Sequence, residues 1–169
     1  MIIAKDKQDR IGIDDFIYKI QKVLDDKIED DVDIYGLAKI NAYKTQNGSR
    51  KIPQVFIPCK GFSDIFYSEN NKIFFLTDNT FVADGNTNFR TNLYIYCCFE
   101  LDGDNDNEIR TKITKYLGRA GIKRPDLDIG FEKVFSDFTI DNANGMDYYP
   151  YHWFRFKANE TFKIEQQWH

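Results

Sequence analysis

Phe131-Glu-Lys-Val-Phe-Ser-Asp-Phe138, a loop rich in Asp, Asn and Gly, and then Tyr148-Tyr-Pro-Tyr-His-Trp-Phe-Arg-Phe-Lys157 make up the stretch from which the fold is read. In the second half, His152, Phe154, Phe156 and Ala158 fall on one face and Trp153, Arg155 and Lys157 on the other. A period of two is the mark of a strand, and aromatic residues suit a partly buried pleated surface. In the first half, Phe131, Lys133 and Phe135 alternate with Glu132 and Val134, which also reads as a half-buried strand. Asn142, Asn144, Gly145 and Pro150 supply the turn between them. The expectation is a long antiparallel pair in one sheet.

Working outward, Ile13, Phe16, Ile17, Ile20, Leu24 and Ile28 recur at intervals of three and four, the stripe of an amphipathic helix. Asp14 and Asp15 suit its positive N-terminal end, and Glu29-Asp30-Asp31 oppose its continuation. Val32 to Tyr43 reads as a strand, Asn47-Gly48 as a hairpin turn, and Lys51 to Ile57 as the return strand. Pro53 and Pro58 demote that return strand to an edge or a short piece. Lys72 to Thr77 is a further short strand, and Thr80 to Arg90 an exposed loop. Leu93 to Leu101 is apolar on both faces, which places it centrally. A second helix is predicted from Asn107 to Ala120, with Gly118 or Gly121 ending it. The predicted fold is α+β: two helices on a mainly antiparallel sheet with long hairpins, residues 12–169 forming one domain behind an N-terminal arm, residues 1–11.

Composition bounds the function. A chain of 169 residues with 42% hydrophobic content buries a sizeable core without staples, and its 15 Phe and 10 Tyr make that core one of rings. No apolar run approaches the length needed to cross a bilayer, and the first residues carry no signal-peptide pattern. The net charge of −4 argues against a dedicated nucleic-acid-binding domain. Cys59, Cys97 and Cys98 fit neither a disulfide framework nor a zinc spacing, and read as free thiols in a reducing cytoplasm.

Candidate chemistry is sparse. The run Asp102-Gly-Asp-Asn-Asp-Asn-Glu108 suggests calcium, but the sixth and twelfth loop positions hold Asn107 and Ile113 where Gly and Glu are required. It reads better as a loop whose acids cap the second helix. The Gly118-to-Pro125 stretch follows a helix instead of opening one, so it is no phosphate loop. His152 lies between large aromatics and His169 at the end of the sequence, leaving no nucleophile with an adjacent base. No catalytic residue, metal or cofactor is expected. Tyr148, Tyr149, Tyr151 and Trp153 have the chemistry of a protein-interface hot spot.

At Gly130-Phe-Glu-Lys-Val-Phe135 and Pro150-Tyr-His-Trp-Phe-Arg-Phe156 the chain resembles small virion proteins of phages and prophages of Bacteroidetes-type bacteria, crAss-like phages included. These are of the tail-terminator, neck and ring type found at head–tail junctions. The resemblance spans residues 12–165 as an order of elements plus these two motifs. It implies a structural virion subunit, made in the host cytoplasm, forming a homo-oligomeric ring. Its partners would be its own copies, the portal or other neck and tail proteins, and DNA passing through the channel without specific recognition. No active site or membrane contact is implied. Interface candidates are Asn47, Gly48 and Arg50 in the 44–51 hairpin, and Asp84, Asn86, Phe89 and Arg90 in the 78–92 loop. The 139–151 loop and the start of the following strand add Tyr148, Tyr149, Tyr151 and Trp153. The alternative is a monomeric ligand-binding module or hydrolase with a site near His152.

Overall fold

The structure, a computed structural model, describes residues 1–4, 10–101 and 105–164. In chain order its elements are β1 (Ile2–Ile3), α1 (Ile13–Lys27), β2 (Asp33–Leu37), β3 (Lys39–Thr45), β4 (Gly48–Ile57), β5 (Gly61–Asp64) and β6 (Lys72–Thr77). There follow β7 (Val82–Ala83), β8 (Asn88–Glu100), α2 (Asp106–Arg119), β9 (Asp126–Ile129), α3 (Phe131–Val134) and β10 (Tyr151–Lys163). The central sheet runs β1-β2-β6-β8-β10-β9, parallel from β1 to β6 and antiparallel from there on. A second sheet, β3-β4-β5, is antiparallel throughout.

These pieces stack as three layers. The periodic stripes of α1 and α2 bury Ile17, Ile20, Leu24, Ile109, Ile113 and Leu117 against one face of the central sheet. Because strand side chains alternate, β10 sends Phe154, Phe156 and Ala158 to that face and Trp153 to the other. The opposite face is covered by the second sheet, α3 and the segment after it, through Val55, Val134, Phe135 and Met146. Every residue of β6 is buried, as expected for a strand covered on both faces. Helix α2 ends on Gly121 at φ 96°, with the Gly121 N–H on the Gly118 carbonyl at 3.1 Å and the Ile122 N–H on that of Leu117 at 3.0 Å. This paired closure needs a left-handed residue, so of the two glycines Gly121 ends the helix.

The mixed α/β architecture, a mostly antiparallel sheet and the spans of both long helices agree with the sequence reading, and the details correct it. Phe131–Val134 is a short helix continued by a turn, and β10 pairs instead with β8 and β9. The decisive spacing is Phe131, Val134, Phe135, Phe138, a helical stripe that gathers these residues in one cluster. Val32 to Tyr43 is divided at Ala38, where the chain leaves one sheet for the other. β4 is the middle strand of its sheet, not an edge. Pro53 is tolerated there because its missing N–H would point toward β5, whose ladder ends at the Gln54–Asp64 pair. The hairpin turn is Gln46–Asn47, one residue earlier than predicted, with Gly48 at φ 125°. Ile2–Ile3 adds a parallel strand to β2, so the start of the predicted arm belongs to the sheet; residues 5–9 lie outside the described residues. The 80–90 loop is a small ribbon in which β7 pairs with the outer part of β8. Among the described residues no helix is long and apolar enough to cross a membrane.

Candidate functional site: an aromatic cleft and two open sheet edges

At the C-terminal end of β6, a cleft of about 500 Å³ opens between the two sheets. Alternation along β8 and β10 puts Tyr94, Tyr96 and Arg155 on the same face, and Arg155 stands opposite Tyr96 in the ladder. Lys51 from β4 and Asp137 and Phe138 from the turn after α3 complete the walls. The Arg155 guanidinium donates through Nη2 to the Asp128 carboxylate at 2.6 Å, and through Nη1 to the Tyr96 hydroxyl and the Val134 carbonyl, both at 3.3 Å. It also lies 5.3 Å from the Tyr94 ring centroid, within cation–π range. Burial alone would lower its pKa, but the bonds to Tyr96 and Asp128 outweigh that and raise it. The same pairing holds the Asp128 carboxyl below its ordinary value, while burial raises the Tyr96 phenol. Arg155 is thus neutralised and fixed, a brace for the cleft wall. The half-buried Lys51, 5.7 Å from the Phe138 ring centroid, is the cleft's more accessible cation.

The other end of the same sheet face holds Lys72, fully buried. Its ammonium donates to the carbonyls of Ile65, at 2.7 Å, and Ser68. Next to it the Tyr35 and Tyr67 hydroxyls are 2.8 Å apart, and Asn70 Nδ2 donates to Asp33 at 3.1 Å. Burial pulls Lys72 down to about 8 against the opposing pull of Cys98, Asp33 and Asp64. Burial likewise raises the Cys97 and Cys98 thiols, leaving them without thiolate character. Nothing in the sequence marks Lys72 as buried beyond its place at the head of an apolar run.

The predicted interface residues divide by exposure. Asn47, Gly48, Asp84, Asn86, Arg90, Tyr148 and Tyr149 are exposed. Arg50 is tied to Asp141 at 2.6 Å, Phe89 is stacked on Phe162, and Tyr151 is half-buried. Trp153 is a correction: it is 2% exposed and donates through Nε1 to the Met146 carbonyl at 2.7 Å, so it belongs to the core. The buried Nε2 of His152 has no hydrogen-bond partner among the described residues, and the Tyr149 ring stands edge-on at 6.5 Å. Asp106 at the start of α2 is bonded to Arg110, while Asp102 and Asp104 lie outside the described residues. Among the described residues no group of three or more His, Cys, Asp or Glu is placed to hold a metal.

The sequence reading missed the two sheet edges. β3 closes one side of its sheet, and every residue from Asn41 to Ser49 is exposed. Between Lys39 and Ile57 there are four cations and no acid, in a chain of net charge −4. β9 closes the far side of the central sheet with Leu127 37% and Ile129 49% exposed. The alternation Asp-Leu-Asp-Ile was the available signal, too short to be read as a strand by itself. No family model, curated protein or solved structure matches the chain.

Proposed function

We propose that this protein is a structural subunit that works by associating with copies of itself. In the form the sequence resemblance suggests, it is a ring at a phage head–tail junction, seating portal or tail neighbours around a DNA channel. The observation that carries this reading is the β3–β4 hairpin. Its outer half contributes little to the subunit's own core, yet it is held in place by the Arg50–Asp141 ion pair and by the Thr139 N–H on the Lys51 carbonyl at 3.0 Å. Ordering a projecting ribbon costs roughly 1–2 kcal/mol per residue in backbone entropy. A basic arm on an otherwise acidic molecule is the shape of a part that reaches a neighbour, and unlike surfaces on one subunit favour head-to-tail contacts, which form a ring where the rotation closes.

Native mass spectrometry and electron microscopy across a concentration series at low salt test this, since screening weakens charge contacts. The expected result is concentration-dependent oligomers with ring-shaped particles; a monomer at every concentration overturns it. One observation favours a second reading. The cleft at Tyr94, Tyr96 and Lys51 falls within the size range of small-ligand sites, about 300–1,000 Å³. It moves the ligand-binding alternative away from His152. A small molecule carried on a monomer through native mass spectrometry, and displaced by Tyr94→Ala, would decide for it.

A further inference from the structure

We propose that neighbouring copies join edge to edge, with the outer edge of β9 on one copy pairing with the outer edge of β3 on the next. The inference rests on the assembly reading and names the surface that would perform it.

Backbone parity shows what each edge offers. The Gly130 N–H bonds the Trp153 carbonyl at 2.9 Å, so in the β9–β10 ladder Asp128 and Asp126 face β10 and Leu127 and Ile129 turn their N–H and C=O groups outward. On the other edge, Pro53 lacks an N–H and the Lys51 carbonyl bonds Thr139, so these β4 residues face away from β3. Their ladder partners Ile40 and Ala42, and Lys44 in the same phase, therefore direct their backbone groups outward. Among the described residues these two rows of donors and acceptors are unpaired, a template for strand addition. β9 also presents Leu127 and Ile129, which gain from burial.

Charge selects among the three pairings these edges allow. Two β3 hairpins would bring Lys39, Lys44 and Lys51 of one against those of the other, with no acid between Lys39 and Ile57 on either and Arg50 already held by Asp141. In an antiparallel β9–β9 pair, centring on Asp128 sets Asp128 against its own copy, and centring on Leu127 sets Asp126 against Asp128. Like charges directly opposite are unfavourable. β9 against β3 avoids both. In the antiparallel register with Leu127 opposite Lys44 and Ile129 opposite Ala42, the exposed Lys123 and Arg124 pass beyond the uncharged turn Gln46–Asn47. The contact is heterologous, so each copy keeps one β9 and one β3 edge for the next, and the assembly continues until it closes.

Two substitutions remove one outward N–H each and leave the internal ladders intact: Ala42→Pro on β3 and Leu127→Pro on β9. If either variant fails to give a wild-type near-UV spectrum, Ala42→Glu or Ile129→Lys replaces it. Light scattering is read on each variant alone and on an equimolar mixture. The expected result is an assembling wild type, each variant alone monomeric with association at least about tenfold weaker, and a one-to-one dimer on mixing, because each variant keeps the edge the other lacks. Several results overturn the proposal: variants that assemble like wild type, a mixture that stays monomeric, or Ala42→Pro dimers that only Leu127→Pro abolishes. In each of these the wild type still assembles, so the assembly reading stands while the edge pairing falls. A wild type monomeric throughout removes both.

Discussion

Lys72 and Arg155 are both buried cations on the same face of the central sheet, at the opening of β6 and midway along β10, but they are held differently. Arg155 is met by the carboxylates of Asp128 and Asp137 and by aromatic rings. Among the described residues no carboxylate lies within ion-pair distance of Lys72, which is held by main-chain carbonyls of the segment just before its own strand. An ion pair fixes a charge at every ordinary pH, whereas carbonyl dipoles hold a charge that burial still disfavours. Arg155 therefore acts as a permanent brace for the cleft, and Lys72 as a titratable pin on the 65–71 loop.

The largest effect is expected from breaking the brace. Arg155→Met leaves Asp128 without its main partner and strips the Tyr96 hydroxyl and Val134 carbonyl of a donor. Removing one member of a buried pair costs about 3–5 kcal/mol; with Asp128 a quarter exposed, about 2–4 kcal/mol is expected. Urea unfolding midpoints measure it, and Arg155→Lys should recover only part, because one ammonium cannot span those three acceptors. Lys72→Met ranks next. It orphans two carbonyls but also removes the cost of burying a charge, so about 1–3 kcal/mol is expected. Hydrogen exchange in residues 65–71 should rise more than elsewhere. Equal losses for both substitutions, or no local rise in exchange, would erase the distinction.

The two cations also separate on the pH axis. Lys72 titrates near 8 when folded and close to 10.4 when unfolded, so between those values the unfolded chain binds the extra proton. Stability should therefore rise from about pH 8 to about pH 10.4, and Lys72→Met should flatten that rise. Asp128 gives a slope of the same sign in a different window, at acid pH. Its hydrogen bond to Arg155 lowers its folded pKa, so its contribution is present above the ordinary carboxylate range and is lost as pH falls through the lowered value. Asp128→Asn should flatten this acid limb and leave the alkaline one untouched. Thermal melts across pH on the wild type and both variants check the signs.

This contrast explains what was legible in the sequence. The faces of β10 could be read because alternation is a local property: Phe154 and Phe156 go one way, Trp153 and Arg155 the other. The segment from Phe131 to Phe138 could be misread because Phe131 and Phe135 satisfy a period of two as well as a helical turn. Lys133 at the same parity is exposed, and Val134 and Phe138 complete the helical set. Lys72 was invisible because its acceptors belong to an irregular segment whose path no periodicity describes. The partner of Arg155, Asp128, lies on a strand too short to announce itself. The open edges follow from topology, which depends on pairings between distant strands such as β8 and β10 and not on any local pattern.

The smallest predicted effect sharpens the comparison most. Asp137 approaches Arg155 at 3.7 Å but is 72% exposed, so water already solvates it and screens the attraction. Asp137→Asn should change stability by about 0–0.5 kcal/mol, the range of an exposed pair, and less at high salt. If the brace is the buried Asp128 contact, this substitution leaves the urea midpoint and the acid limb near their wild-type values, while Asp128→Asn alters both. A loss from Asp137→Asn as large as that from Asp128→Asn would mean that the guanidinium is held from the solvent side. Arg155 would then be a surface charge with a buried stem, and its contrast with Lys72 would be one of depth instead of partner chemistry.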